Sequence, residues 1–422
     1  MKFKIIKIHD KSHVLNNSYY LILYIILSIF LILKIHFMKL FNKISYLTLL
    51  IASLMILGCT HDTEYIAGPA GVDGTDGIDG VDGIDGVDAS AAVCIDCHSD
   101  SHREGIFDAY YAMDTNHSSG SSWARGTSES CAACHNNEGF VDYIETGAVA
   151  TGGYNISNPI SCNGCHSSHR SFDFENDGND YAVRTLDGVD LRVFAENDAL
   201  PDYTIDYGNA SNLCANCHQP RRGTPTVADY PGKYLQTSGH WGPHHGPQTA
   251  LLEGLLGAYT TFTLVEDIPA VKQAAHRNDT GACIDCHMRG TSDGSYGHTW
   301  NPSGTNCASC HGDTPLEELE VAGLSEDMEA LGALLENVVG QAIVRVDGEW
   351  ELVFEADGVT PVPQIGIVHF EDGEWHPLTG LFDLKDAEAA WNFLFIVEDK
   401  SGGIHNPNYA KSIIKNSLAA LQ

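Results

Sequence analysis

Six copies of C-x-x-C-H crowded into residues 94–311, scarce apolar periodicity between them, and a cysteine-free tail together predict the fold class. It is mainly irregular and α-helical, with covalently held prosthetic groups standing in for the usual apolar core. A small α+β segment closes the chain at the C-terminus.

The motifs account for twelve of the 13 cysteines. They are Cys94/Cys97/His98, Cys131/Cys134/His135, Cys162/Cys165/His166, Cys214/Cys217/His218, Cys283/Cys286/His287 and Cys307/Cys310/His311. C-x-x-C-H is the attachment signature of c-type haem. Two thiols three positions apart form thioethers with the two vinyl groups on one edge of the macrocycle. The adjacent His is then placed to take an axial position on iron. A redox disulfide or a structural zinc site also uses C-x-x-C, but neither requires a His directly after the second Cys. Six covalent haem c groups are therefore expected, and the fold class is a multihaem cytochrome c fold with haems as core.

Cys59, the thirteenth cysteine, lies outside the motifs. Met38 to Lys43 form a short basic segment, residues 44–57 an apolar one, and Ile56-Leu57-Gly58-Cys59 ends it. This resembles a bacterial lipoprotein signal, which would make residues 38–58 the signal peptide and Cys59 the lipidated N-terminus. An ordinary signal peptide or an uncleaved anchor helix is the alternative. Residues 1–37 carry a second apolar run, Tyr19 to Leu33, shorter than the ~20 residues of a membrane span. A complete signal starting at Met38 makes residues 1–37 an extension of the gene model; a two-helix membrane hairpin is the rival. Export agrees with the haem motifs, because haem is joined to such chains outside the cytoplasmic membrane.

From Cys59 onward the chain has 16 basic and 55 acidic residues. So negative a field excludes nucleic acid and anionic membrane surfaces as partners and favours cationic protein or mineral surfaces, or simple solubility. Residues 59–90 form an acidic tether in which Gly recurs at every third position from Gly68, six of the seven triplets ending in Asp. Gly at every third position is the collagen period. Stacked Asp side chains would repel in a triple helix, so an extended spacer is expected. At about 3 Å per residue, its 30 or so residues reach roughly 90 Å.

Residues 91–312 form the hexahaem domain, about one motif per 36 residues. The sixth ligand of each iron decides what such a protein does: a second His closes the iron for electron transfer, and an open position admits substrate. Beyond the motifs, twelve histidines follow Cys59: His61, His102, His117, His169, His240, His244, His245, His276, His298, His369, His376 and His405. Supply exceeds the demand of six bis-His haems. C-x-x-C-K, which often marks a catalytic haem, does not occur.

Several stretches carry a family resemblance. They are Asn116-His117-Ser118-Ser119-Gly120, Ser167-Ser168-His169 directly after the third motif, and Leu213 to Arg221 around the fourth. Gly242-Pro243-His244-His245-Gly246-Pro247-Gln248 and Gly403-Ile404-His405-Asn406-Pro407 complete the set. From about residue 91 to its end, the chain resembles the multihaem c-type cytochromes that metal-respiring bacteria display on their outer surface. The resemblance implies His117, His169, His245, His276, His298 and His405 as distal ligands. His102 stands evenly between ligand and surface residue, while His61, His369 and His376 read as surface residues.

Residues 313–422 form the haem-free α+β tail, expected to be a lid that lends His405. Apolar residues recur at helical spacing from Leu316 to Val339. Asp347-Gly348 joins strands at Ala342–Val346 and Trp350–Phe354 in a hairpin. A second strand pair is expected at Ile365–Phe370 and Glu374–His376. Helices follow near 385–397 and 407–421, the latter started by Asn406-Pro407.

The function expected from all this is electron carriage along bis-His haems in extracellular respiration, an electron carrier rather than an enzyme. The chain would be held to the outer membrane by its lipid. Its partners would be other periplasmic or outer-membrane cytochromes and metal oxides. A multihaem reductase of a small nitrogen or sulfur oxyanion, and a self-associating subunit of a haem filament, are the alternatives.

Overall fold

The computed structural model describes residues 91–422, except 113–123, 196–201, 228–229, 245, 290–294, 313 and 316–317. The chain divides between Ile84 and Asp85, and every described residue belongs to the second compact unit. The signal, Cys59, His61 and the Gly-rich tether fall outside the described residues, as do His117 and His245.

Each motif sits on or beside a short helical turn. These are α1 (Ala91–His98), α3 (Glu129–His135), α5 (Cys162–Cys165), α6 (Ser211–Ala215), α9 (Cys283–His287) and α10 (Gly304–His311). Residues three apart on a helix share a face, so each turn presents both thiols together. The turn carries on into the His: the His166 and His218 amides donate to the carbonyls of Cys162 and Cys214 at 2.8 and 3.0 Å. Between these turns lie α2 (Asp100–Ala112), α4 (Asn137–Thr146), α7 (Gln248–Glu253) and α8 (Ala275–Asn278), with long irregular segments.

Apolar burial is thin over residues 91–190 and concentrated further on. The largest core joins Trp241, Ala250, Leu251 and Ala258 to the tail helices α11 (Leu324–Leu335), α12 (Leu384–Asp399) and α13 (Pro407–Leu421). α12 buries residues on every side, Trp391, Phe393, Leu394 and Phe395 among them, as a central helix must. α13 starts as expected: the Asn406 side chain accepts the Tyr409 amide and Pro407 opens the helix.

Strands β1 (Val189–Asp190) and β2 (Thr204–Ile205) pair antiparallel. The expected hairpin forms from β5 (Ile343–Val346) with β6 (Glu349–Leu352), and the second expected strand pair from β8 (Val368–Glu371) with β9 (Glu374–Pro377). The latter two each turn through two positive-φ residues, Asp347-Gly348 and Asp372-Gly373, the geometry that suits the right-handed twist of paired strands. The sequence reading missed the antiparallel sheet beneath them. Its order is β3 (Lys233–Gln236), β10 (Gly380–Asp383), β4 (Val339–Gln341), β7 (Pro363–Ile365). Because β3 comes from the motif-bearing segment and β10 from the tail, the tail is woven into that segment rather than laid over it. The first tail helix also begins later than the apolar spacing suggested, at Leu324, behind Gly323 in the left-handed region.

Side chains of α12 and α13 satisfy the backbone of the irregular segment 257–266. Both carboxyl oxygens of buried Glu388 accept from Thr260 and Thr261: the two amides at 2.9 and 3.0 Å, and both hydroxyls. Asn392 pairs with both backbone groups of Ala258, each at 2.7 Å, and Asn416 accepts the amides of Val265 and Glu266. A segment without ladder partners has to find its hydrogen bonds elsewhere, and here the tail supplies them. Glu388→Ala removes the acceptor of the Thr260 and Thr261 amides and is expected to cost about 1–2 kcal/mol. A lowered urea midpoint at unchanged slope is the expected readout; an unchanged midpoint would show that Glu388 does not hold the segment.

Candidate haem centres

The rings of five motif histidines each face one histidine from elsewhere in the chain. His98 faces His169, with ring centroids 6.1 Å apart; His135 faces His244 and His166 faces His298, both at 6.2 Å. His311 faces His276 at 6.2 Å and His287 faces His405 at 6.3 Å. Their interplanar angles run from 28° to 77°, so ring stacking does not set the distance. An imidazole nitrogen binds a first-row metal at about 2.0–2.1 Å, which puts each ring centre ~3.1 Å from the ion. Two imidazoles on opposite sides of one iron therefore stand about 6.2 Å apart, the separation of all five pairs.

The other ring nitrogen is engaged in a consistent way. Nδ1 of His166, His276 and His287 donates to the backbone carbonyls of Tyr181, Ile404 and Trp300, at 2.8, 2.6 and 2.7 Å. Nδ1 of His298 donates to the carbonyls of Ser295 and Tyr296. His169 and His405 use carboxylates, Asp180 at 2.6 Å and Asp399 at 2.7 Å, and His218 uses the Gln248 side-chain oxygen at 3.0 Å. A carbonyl only accepts, so the proton sits on Nδ1 and the lone pair on Nε2, the tautomer a metal ligand needs. Burial lowers the pKa of His218, His287 and His298, which keeps these rings neutral. Burial acts on His405 the same way, but the Asp399 carboxylate outweighs it and raises the pKa.

The turns that present these rings are tight. Gly297, at φ +76°, lies between Tyr296 and His298, and a Cβ there would fall 2.2 Å from the Met288 carbonyl oxygen. Gly403, at φ +84°, closes the α12–α13 turn ahead of His405, where a Cβ would meet Leu324 at 2.5 Å. His244 itself takes φ +71°, uncommon for a residue with a side chain.

The motifs are also near one another. Cys134 and Cys217 lie close enough to perturb each other's ionisation, as do Cys214 and Cys283. The fourth motif thus lies between the second and the fifth, and the fifth-motif helix α9 packs on both α6 and α10.

Of the distal residues implied by the resemblance, the structure places His169, His276, His298 and His405 opposite motif histidines. His117 and His245 lie outside the described residues. From the cluster at 240–245, the described ring that faces His135 is that of His244; the expected ligand His245 lies outside the described residues. Adjacent residues in an extended or turning backbone point in different directions, so sequence alone did not distinguish the two. His102 lies against the Tyr296 ring at 4.1 Å. His369 and His376 pair across β8 and β9 at 5.5 Å, shorter than the five, and His369 bonds Glu371 through Nε2, the opposite tautomer. The residues that orient the rings, Asp180, Gln248 and Asp399, were not read from the sequence. Only Asp399, just ahead of Ser401-Gly402-Gly403, stands close enough to its histidine to have been suspected.

Among the described residues, no three His, Cys, Asp or Glu side chains converge as a site for a bare ion, and the twelve motif thiols are not joined in disulfides. The donors are instead arranged in opposed pairs beside two thiols, which fits a macrocycle attached at its edge and ligated on both faces. No helix among the described residues is long and apolar enough to cross a membrane. No protein-family model matches the chain, and no solved structure matches it.

His244→Ala is expected to convert one haem of the purified protein to high spin, visible by EPR, while His369→Ala leaves the spectrum unchanged. A wholly low-spin spectrum from His244→Ala would remove His244 as a ligand.

Proposed function

We propose that the chain is a hexahaem c-type cytochrome that carries electrons along bis-His haems in extracellular respiration, tethered to the outer membrane through a lipid at Cys59. The observation that carries this reading is the common 6.1–6.3 Å gap in the five opposed histidine pairs. Bound haem supplies reversible one-electron exchange between ferric and ferrous iron. What the protein supplies is attachment, both axial nitrogens and control of each site's potential.

Each role falls to named residues. Cys94, Cys97, Cys131, Cys134, Cys162, Cys165, Cys214, Cys217, Cys283, Cys286, Cys307 and Cys310 would hold the macrocycle edges. His98, His135, His166, His218, His287 and His311 would be the proximal ligands. His169, His244, His298, His405 and His276 would close five irons, with His117 and His245 the candidates opposite His218. Asp180 and Asp399 each accept from a distal ring, strengthening its donation to the iron and favouring the ferric state.

The closeness of the motifs supports carriage between sites. Thiols of the second, fourth and fifth motifs within reach of one another would bring the attached macrocycle edges close together, as tunnelling requires. A reductase needs an iron with an open position, and each of the five described pairs occupies both. The acidic composition would suit attraction to cationic redox partners or to mineral surfaces. Export, the lipid anchor and self-association into filaments remain proposals on the sequence features alone.

The test is haem quantitation together with EPR of the oxidised protein. Six haems per chain and low-spin ferric signals only are expected. A high-spin signal accounting for a whole haem would favour the reductase, and fewer than six haems would overturn the stoichiometry.

A further inference from the structure

The positive charge of this acidic chain is unevenly spent. From Cys59 onward it has 16 Lys and Arg, ten of them Arg, and four of those ten stand around the second motif. Arg221 and Arg222 line a cavity of about 230 Å³ together with His240 and His244, and His244 is the ring that faces His135. The Arg221 amide donates to the Pro243 carbonyl at 3.0 Å, fastening this pair of arginines to the turn that carries His244. The Arg125 amide donates to the His135 carbonyl at 2.7 Å. Arg192 acts with Arg221 on the Cys134 thiol.

Four other arginines near motifs are neutralised, and Arg289, beside the fifth motif, donates to the Asn306 carbonyl. Arg103 pairs with Asp100, Arg170 with Asp180, Arg184 with Glu145 and Arg277 with Glu253. Among the described residues, no carboxylate pairs with Arg221 or Arg222. Two cations left facing a cavity beside an axial His call for an anion, and a haem brings its own in the two propionate carboxylates.

We propose that Arg221 and Arg222 compensate the propionate charge of the haem held by Cys131, Cys134, His135 and His244, giving that haem the most positive reduction potential of the six. The proposal rests on the haem assignment above. Positive charge near an iron favours the ferrous state, whose net charge is lower, whereas the net negative charge of the chain as a whole favours the ferric. Electrons entering the chain would settle on the second-motif haem. Its neighbour through the Cys134–Cys217 approach is the fourth-motif haem, so the well lies on the path and not at a dead end.

Potentiometric titration of the haem-loaded protein, followed by visible absorption and EPR, tests this with two double variants. Arg221→Gln/Arg222→Gln is expected to move the most positive of the six one-electron steps to lower potential and leave the other five in place. Arg221→Lys/Arg222→Lys, which keeps the charge, is expected to restore it. His244→Ala identifies the site, because the haem that turns high-spin should be the one whose step is most positive in the parent protein. An unmoved top step in the Gln variant, an equal shift of all six, or a His244→Ala change at another step would each overturn the proposal. A parent protein without haem absorbance would instead overturn the haem assignment.

Discussion

Much of this chain is arranged to hold two imidazole ring centres 6.1–6.3 Å apart, five times over. The distance recurs within 0.2 Å although the pairs come from very different sequence separations, from His276 with His311 to His135 with His244 and His287 with His405. Such a gap left empty would be closed by packing, so the surroundings must prop it open. They do so with an oxygen acceptor on Nδ1, which fixes ring orientation and leaves Nε2 facing its opposite number. They do so also with glycine turns at Gly297 and Gly403, where any larger residue would collide with its neighbours.

The remainder of the fold follows from the scarcity of apolar packing around the motifs. Residues 91–190 bury little hydrophobic surface, and the motif turns are only one or two helical turns long, too short to be stable alone. The chain compensates by concentrating its apolar residues on α11, α12 and α13. It then sews the motif segment to them through β3, Glu388, Asn392 and Asn416. The helix α12 serves both ends of this arrangement: its buried middle is the core, and its last residue, Asp399, fixes His405.

The sequence was most informative where local chemistry decides. C-x-x-C-H names the candidate attachment points by itself, Asp347-Gly348 announced the first hairpin, and Asn406-Pro407 announced α13. It was least informative where contacts are distant. Nothing in Lys233–Gln236 says that it will pair with Gly380–Asp383, about 150 residues on. Nothing next to His169 singles out Asp180 as the acceptor for its ring. The pair His244-His245 shows the limit most clearly, since composition and spacing treat the two alike. It is the backbone at His244, at φ +71°, that goes with its ring facing His135.

The central claim is that the opposed histidines share irons, and an anomalous difference map at the iron edge from crystals of the exported protein tests it directly. The account predicts a peak midway between the rings of each pair: His98 and His169, His135 and His244, His166 and His298, His276 and His311, and His287 and His405. A sixth peak should lie against His218. Gaps without iron, or iron bound to only one ring of each pair, would contradict it.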